Sequence, residues 1–333
     1  MKFFHIADTH LGAIPDAGFA WSEERRSEIW ESFRSVVAKA DREEVDLLLI
    51  AGDLFHRQPL MRELKEVNYL FSTLKKTKVV FIIGNHDYLK VDSYYLDFPW
   101  SENVTCLRGK ECESVVFEDL DTEVYGLSYH TREIKEPKYN DLQPEKKAGF
   151  SILLGHGGDA KHIPIDRKKL LLSGFDYIAL GHIHRPEMIE PDRMAYAGAL
   201  EPIDSNDTGE HGFWVGEITK AFGQVQFFPL RKCQYVHETI QLSSQMTNMA
   251  VQTIVKNLLA NRKPYELYKI FLTGTLNADT ELDLDWIRNQ EAVVDVICSL
   301  RQDYDYDRLR EENEQQLLGR FIAAMQSQGE SEG

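Results

Sequence analysis

Residues 78–87 read Lys78-Val79-Val80-Phe81-Ile82-Ile83-Gly84-Asn85-His86-Asp87. The stretch from Lys78 to Ile83 is an apolar, β-branched run of the kind that forms a buried strand. Gly84 ends it and lets the backbone turn tightly. Asn85, His86 and Asp87 then place an amide, an imidazole and a carboxylate at one strand end. A surface turn needs only the asparagine and the aspartate. A histidine between them points to metal binding or proton transfer.

The same grammar recurs on both sides of this stretch. Lys2 to Ala7 reads as a first strand that delivers Asp8-Thr9-His10. Leu47-Leu48-Leu49-Ile50 is apolar throughout, as a strand buried on both faces must be, and leads into Gly52-Asp53. Between the strands, residues 24–43 carry Ile29, Phe33, Val36, Val37 and Ala40 at helical period. Residues 60–76 do the same with Leu60, Leu64, Val67, Leu70, Phe71 and Leu74. That second stripe fits packing on the chain's own sheet, or a helix–helix contact between two copies. Strand–helix alternation predicts a largely parallel sheet with right-handed crossovers.

Beyond residue 100 shorter strands are expected near 113–117, 123–127, 150–154 and 176–180. The last two end in Gly155-His156 and Gly181-His182-Ile183-His184. Strands near 194–197, 212–218 and 223–230 follow, and the count fits two layers of sheet covered by helices. A boundary is expected after residue 232. Residues 233–327 then form a smaller α/β domain, with strands at 236–241, 266–274 and 292–298. Its helices are expected at 246–260, 282–289 and, as one long element, 305–326. Residues 328–333 are a polar tail expected to be flexible.

Bulk composition narrows the function classes. A chain of 333 residues favours two domains, and a hydrophobic fraction of 43% is enough to give each a core. No segment approaches the roughly 20 apolar residues of a membrane span. The first ten residues are already a strand with chemistry on it, so no cleavable signal is expected. Cys106, Cys112, Cys233 and Cys298 form no paired motif and read as reduced thiols of a cytoplasmic protein. The formal charge of −16 argues against nucleic-acid binding over the whole surface and leaves only a local basic patch. Candidates for that patch are Arg57, Lys161, His162, Arg167, Lys168, Lys169, Arg231 and Lys232, with His130 beside them. Charge runs of this kind are most often solvated faces.

Five strand ends thus carry ligand-type residues. In open α/β sheets such groups gather outside the carboxyl ends of the strands, in one crevice. Alternate residues of an extended segment point the same way, so Asp8 and His10 can face one ion, as can His182 and His184. Carboxylate, imidazole and amide oxygen without thiolate suit Mn²⁺, Fe²⁺ or Zn²⁺.

The order Asp8-Thr9-His10, Gly52-Asp53, Gly84-Asn85-His86-Asp87, Gly155-His156, Gly181-His182-Ile183-His184 resembles the signature of the calcineurin-like metallophosphoesterases. The resemblance implies a four-layered α/β/β/α sandwich with a smaller C-terminal α/β capping domain, and two divalent ions, manganese foremost. It assigns Asp8, His10 and His184 to one ion, Asn85, His156 and His182 to the other, and Asp53 as the bridge. A hydroxide shared by the ions would attack phosphorus. His86 would sit over the scissile phosphate, and Asp87 would orient its ring.

Within that superfamily, Ala7-Asp8-Thr9-His10-Leu11-Gly12 and Gly52-Asp53-Leu54-Phe55-His56 are similar to motifs of the SbcD-type nucleases of double-strand-break repair. So are Tyr196-Ala197-Gly198, Glu201-Pro202 and Gly209-Glu210-His211-Gly212. This likeness places His56 beside the site. It implies 3′–5′ exonuclease action on duplex DNA and endonuclease action on single strands, a homodimer, and an SbcC-type coiled-coil ATPase bound through helices beyond the capping domain. A phosphodiesterase or phosphatase on another substrate, or a non-catalytic scaffold, are the alternatives.

Overall fold

Leu47 to Ala51 lies in the middle of a six-stranded sheet, which explains its lack of polar alternation. The computed structural model describes residues 1–219, 223–230 and 232–329, so the candidate Arg231 and residues 330–333 of the expected tail lie outside it. Strands β1 (Lys2–Ile6), β2 (Leu47–Ala51), β3 (Lys78–Ile82) and β4 (Val104–Leu107) run parallel. On the other side of β1, β11 (His211–Ile218) and then β12 (Gly223–Leu230) add antiparallel. Helices α1 (Ser22–Arg42) and α2 (Met61–Ser72) cover one face, burying Ile29, Phe33, Val36, Val37, Ala40, Leu64, Val67 and Phe71. Of the stripe on this segment, Leu64, Val67, Phe71 and Leu74 are buried on the chain's own sheet, while Leu60 stays exposed. Thr73 ends α2, its hydroxyl donating to the Leu70 carbonyl at 2.7 Å. That stop falls a few residues before the expected one.

The second sheet has the order β5-β6-β7-β8-β10-β9. Its strands are β5 (Glu113–Phe117), β6 (Thr122–Gly126), β7 (Phe150–His156), β8 (Tyr177–Gly181), β9 (Glu187–Glu190) and β10 (Met194–Tyr196). Strands β6, β7, β8 and β10 are parallel, with β5 and β9 antiparallel at the edges. The two sheets face each other, with β2 and β3 against β7 and β2 against β8. Leu47, Leu49, Val80 and Ile82 of one meet Ile152, Leu154 and Ala179 of the other in a dry layer. Each Val, Leu or Ile side chain among them contributes about 1.5–3 kcal/mol by leaving water. Helix α3 (Arg167–Leu171) is the one helix over the outer face of the second sheet among the described residues. Buried Tyr129 and Tyr139, on the chain leading to β7, fill the rest of that face. The sandwich is α/β/β/α, and its last helical layer is thin. Strands β4 and β9 carry too mixed a sequence to be expected from pattern.

The chain divides into compact units between Gln234 and Tyr235. The second unit holds a three-stranded sheet, β13 (Gln234–Leu242), β14 (Glu266–Asn277) and β15 (Val293–Asp303), with β14 and β15 parallel. Helices α4 (Asn248–Ala260) and α5 (Leu284–Arg288) pack Val251, Val255 and Ile287 onto it. The helix expected over 305–326 is two helices, α6 (Tyr306–Glu312) and α7 (Leu317–Gly329). Asn313 breaks it: its side-chain amide donates to the Leu309 carbonyl at 2.9 Å. Gly319 lets the returning helix come close, since a Cβ there would lie 2.3 Å from the Asn313 carbonyl oxygen.

In the first unit, Glu201 is buried where α1 meets the chain leading to β11, and Ser32 donates to its carboxylate at 2.5 Å. Burial pushes its carboxyl up to about 7, against the Ser32 hydrogen bond and the Arg25 guanidinium. An acid whose pKa rises on folding weakens the fold as pH climbs from its unfolded to its folded value. Glu201→Gln is therefore expected to stabilise the protein by the order of 1–3 kcal/mol at pH 8 and by little at pH 5. Melting curves at the two pH values check this; an equal effect at both would contradict it.

Candidate metal centre

Every strand that ends in a ligand-type residue ends at the same edge of the sandwich. Asp8 and His10 follow β1, Asp53 follows β2, Asn85 follows β3, His156 closes β7, and His182 and His184 follow β8. The backbone is bent to present them: Asp8, His10, Asp53 and His182 have φ of 48°, 44°, 49° and 93°, a left-handed region that costs non-glycine residues energy. Glycines let the strand ends touch. A Cβ on Gly52 would lie 2.3 Å from the His156 ring, and one on Gly84 would lie 2.0 Å from Asp53 Oδ1. On Gly181 it would meet the Ala51 carbonyl oxygen at 2.0 Å.

The hydrogen bonds behind the site fix which imidazole nitrogens face inward. His156 Nδ1 donates to the Ala51 carbonyl at 2.8 Å, His184 Nδ1 to Asp207 at 3.0 Å, and His182 Nε2 to Asp159 at 2.8 Å. Lone pairs are left on His156 Nε2, His184 Nε2 and His182 Nδ1. These converge on other acceptors. His156 Nε2 and His182 Nδ1 lie 2.9 and 3.0 Å from Asn85 Oδ1, and His184 Nε2 lies 3.0 Å from His10 Nε2. Asp53 Oδ2 stands between the two sets, 3.4 Å from His156 Nε2 and 4.0 Å from His10 Nε2. Buried Asp8 Oδ1 has no hydrogen-bond partner. Acceptors crowded together with their donors turned away are stabilised by a cation among them. Asp8, His10 and His184 come close enough for one ion, as do Asp8, Asp53 and His156.

The electrostatics agree. Burial pushes the Asp8 carboxyl up to about 6, against the pull of His156 and His184. Burial also works against the ionised Asp53, but His156, His10 and His86 around it hold it well below the usual carboxylate range. Burial disfavours the imidazolium of His156 and of His184, yet the adjacent carboxylates raise each to about 9. Without a cation the site draws protons onto these two rings, and a divalent ion would take their place.

Two sequence expectations change here. Asp87 does not orient His86. Its carboxylate is buried and accepts from Phe55 N–H at 3.1 Å, Gly84 N–H at 3.0 Å and the Tyr95 hydroxyl at 2.7 Å, tying the β2 and β3 ends together. What holds His86 is the His56 carbonyl, 3.3 Å from its Nδ1, while the backbone N–H of His86 donates to Asp53 Oδ1 at 2.9 Å. The His56 ring does lie beside the site, 5.2 Å from the His86 ring and 5.3 Å from that of His10. The expected basic patch is largely spent on ion pairs: Arg57 with Glu63, Arg167 with Glu187, Lys232 with Glu31 and, loosely, Lys161 with Glu133. Lys168 and Lys169 cap their helix to Asp166 through the backbone, and His130 bonds the Arg108 carbonyl. His162 of that group borders the centre, its ring 4.5 Å from that of His182. Asp159 and Asp207, which fix the two histidines of Gly181-His182-Ile183-His184, carry no motif that pattern reading could have found.

Residues 1–186 match the family model of the calcineurin-like phosphoesterases. The chain is 29% identical over 242 residues to the uncharacterized metallophosphoesterase YhaO of Bacillus subtilis, covering 66% of this chain and 58% of that protein. It is 31% identical over 235 residues to the DNA double-strand break repair protein Mre11 of Archaeoglobus fulgidus, 63% of this chain and 52% of that one. For Mre11 of Methanocaldococcus jannaschii the identity is 29% over 219 residues, 62% and 58% respectively. The chain thus spans little more than half the length of these relatives.

Gly84→Ala tests the close approach of the strand ends. The added methyl must displace Asp53, so the variant is expected to bind divalent ions at least tenfold more weakly than wild type and to melt earlier. Calorimetric Mn²⁺ titration and melting of the metal-free protein measure both; unchanged ion affinity would show that Asp53 is not held there for a metal.

Proposed function

The chain belongs to the calcineurin-like phosphoesterase family, and on that premise we propose that it is a metal-dependent DNA nuclease of strand-break repair. The observation that carries this reading is the crowding of acceptor atoms around Asp53 and Asn85, with the His86 imidazole at the rim. The likeness to Mre11 proteins supports DNA as the substrate.

Asp8, His10 and His184 would hold one ion, Asn85, His156 and His182 the other, and Asp53 would bridge them. Mn²⁺ suits the donor set, and Fe²⁺ or Zn²⁺ fit the same atoms. Bound ions supply Lewis acidity, acidifying water and neutralising charge on phosphoryl oxygens. The chain's own groups do the rest. His86, anchored through Nδ1 to the His56 carbonyl, keeps Nε2 for a proton to the departing oxygen. Burial and the neighbouring His86 lower the pKa of the His56 ring, which favours its neutral form beside His86. Buried Tyr129 and Tyr139 hold the backbone of His156 through their hydroxyls, and buried Tyr95 holds Asp87, so the strand ends are backed by aromatic side chains on both sheets.

The same reading takes the unit from Tyr235 onward as a DNA-directing cap, with 3′–5′ exonuclease action on duplex ends and endonuclease action on single strands. A homodimer and an SbcC-type ATPase would complete such an assembly in the cytoplasm. No helix among the described residues is long and apolar enough to cross a membrane.

Labelled linear duplex and circular single-stranded DNA, each incubated with Mn²⁺, should be cut, and EDTA should stop both reactions. Hydrolysis of para-nitrophenyl phosphate esters with no cleavage of either DNA would replace the nuclease by a phosphodiesterase on another substrate. His86→Gln should retain wild-type ion content while turnover falls by roughly 10²–10⁴-fold. Loss of the ions in that variant would make His86 a ligand instead.

A further inference from the structure

Each histidine of Gly181-His182-Ile183-His184 has a carboxylate behind it, and the two carboxylates are built differently. Asp207 is 15% exposed and accepts three bonds: from His184 Nδ1 at 3.0 Å, Ile203 N–H at 3.1 Å and Asp204 N–H at 3.3 Å. His211 Nε2 lies 3.2 Å from the Asp207 backbone carbonyl, not from its carboxylate. Asp159 is 46% exposed and its carboxylate is divided. Its Oδ2 accepts from His182 Nε2 at 2.8 Å and lies 2.9 Å from His162 Nδ1. Its Oδ1 accepts from the N–H groups of Lys161 at 2.7 Å and His162 at 2.9 Å. The loop that carries it is held by Gly158 N–H to the His162 carbonyl at 2.8 Å and by the bridge between Ile134 and His162.

A carboxylate behind a ligand histidine fixes the tautomer and raises the basicity of the inward nitrogen, and its loss costs 10–100-fold in metal affinity. A buried carboxylate serving one ring does this more firmly than an exposed one shared between two. We propose that Asp207 and Asp159 are positioning residues that make the two ion positions unequal, so that the position of Asp8, His10 and His184 fills first and that of Asn85, His156 and His182 fills last. His162 is the residue that draws on the second arm. The second ion is accordingly the exchangeable one, and full assembly of the centre follows its concentration. This inference rests on the two-ion reading of the site but not on DNA as the substrate.

Titration of the metal-free 333-residue chain with Mn²⁺ tests it, followed by calorimetry and by electron paramagnetic resonance, which separates a lone Mn²⁺ from an exchange-coupled pair. Wild type should show a mononuclear spectrum near one equivalent and the coupled spectrum only on further addition. Asp159→Asn should keep the first step and weaken the second by 10–100-fold, with the melting temperature of the metal-free protein unchanged. Asp207→Asn should weaken the first step. His162→Ala, which leaves Asp159 Oδ2 to His182 alone, should bind the second ion at least as tightly as wild type. Two equal steps in wild type, an unaltered second step in Asp159→Asn, or a tenfold loss of the second ion in His162→Ala would each overturn the proposal. Absence of any coupled pair in wild type would instead overturn the two-ion reading itself. A wild type that binds the pair yet leaves DNA intact would remove only the nuclease assignment.

Discussion

The carboxyl ends of two sheets touch through glycines, and the rest of the centre depends on that contact. Gly181 lies against the Ala51 carbonyl and Gly52 against the His156 ring, each too close for a Cβ, and within the first sheet Gly84 lies equally close to Asp53. The contact brings β7 and β8 of one sheet to β2 and β3 of the other, so ligands from both can reach a common point. The Ala51 carbonyl has two roles there. It forms the wall against which Gly181 packs, and it accepts the His156 Nδ1–H that turns the other nitrogen inward. Backbone geometry and ligand tautomer are set by the same atom.

From this contact outward the fold reads as support. The dry layer between the sheets holds the strand ends in register, and α1 and α2 close the far face of the first sheet. Asp87, Tyr95, Phe55 and Gly84 make a buried polar knot that ties β3 to the chain after β2. That knot fixes the turn on which Asn85 and His86 stand. The turn serves two purposes, with Asn85 facing the crowded acceptors and His86 facing outward over His56.

Much of this was legible in the sequence, for a physical reason. Buried parallel strands must be apolar throughout, so Leu47-Leu48-Leu49-Ile50 and Val79-Val80-Phe81-Ile82-Ile83 stand out, and a polar residue just past such a run is conspicuous. The structure gathers the ligand-type residues of all five strand ends at one edge. Asp87 misled because a carboxylate next to a histidine in sequence can face the other way in space, and here the backbone donors of Gly84 and Phe55 claim it. Asp159 and Asp207 stayed hidden because each meets its histidine across 23 residues, out of loops with no periodic pattern. The helix break at Asn313 turned on one side-chain hydrogen bond and one close glycine, and neither alters the apolar spacing on either side.

Four of the residues that face the crowded acceptors, Asp8, His10, Asp53 and His182, sit in the left-handed region of backbone space. Each costs the chain about 1 kcal/mol or more, repaid by packing elsewhere in the sandwich. The centre is thus a spring held compressed by the two sheets. Loosening of the sheets, by heat, denaturant or a cavity far from the site, removes the packing that offsets this cost, so the ligand geometry depends on both sheets and not on the strand ends alone.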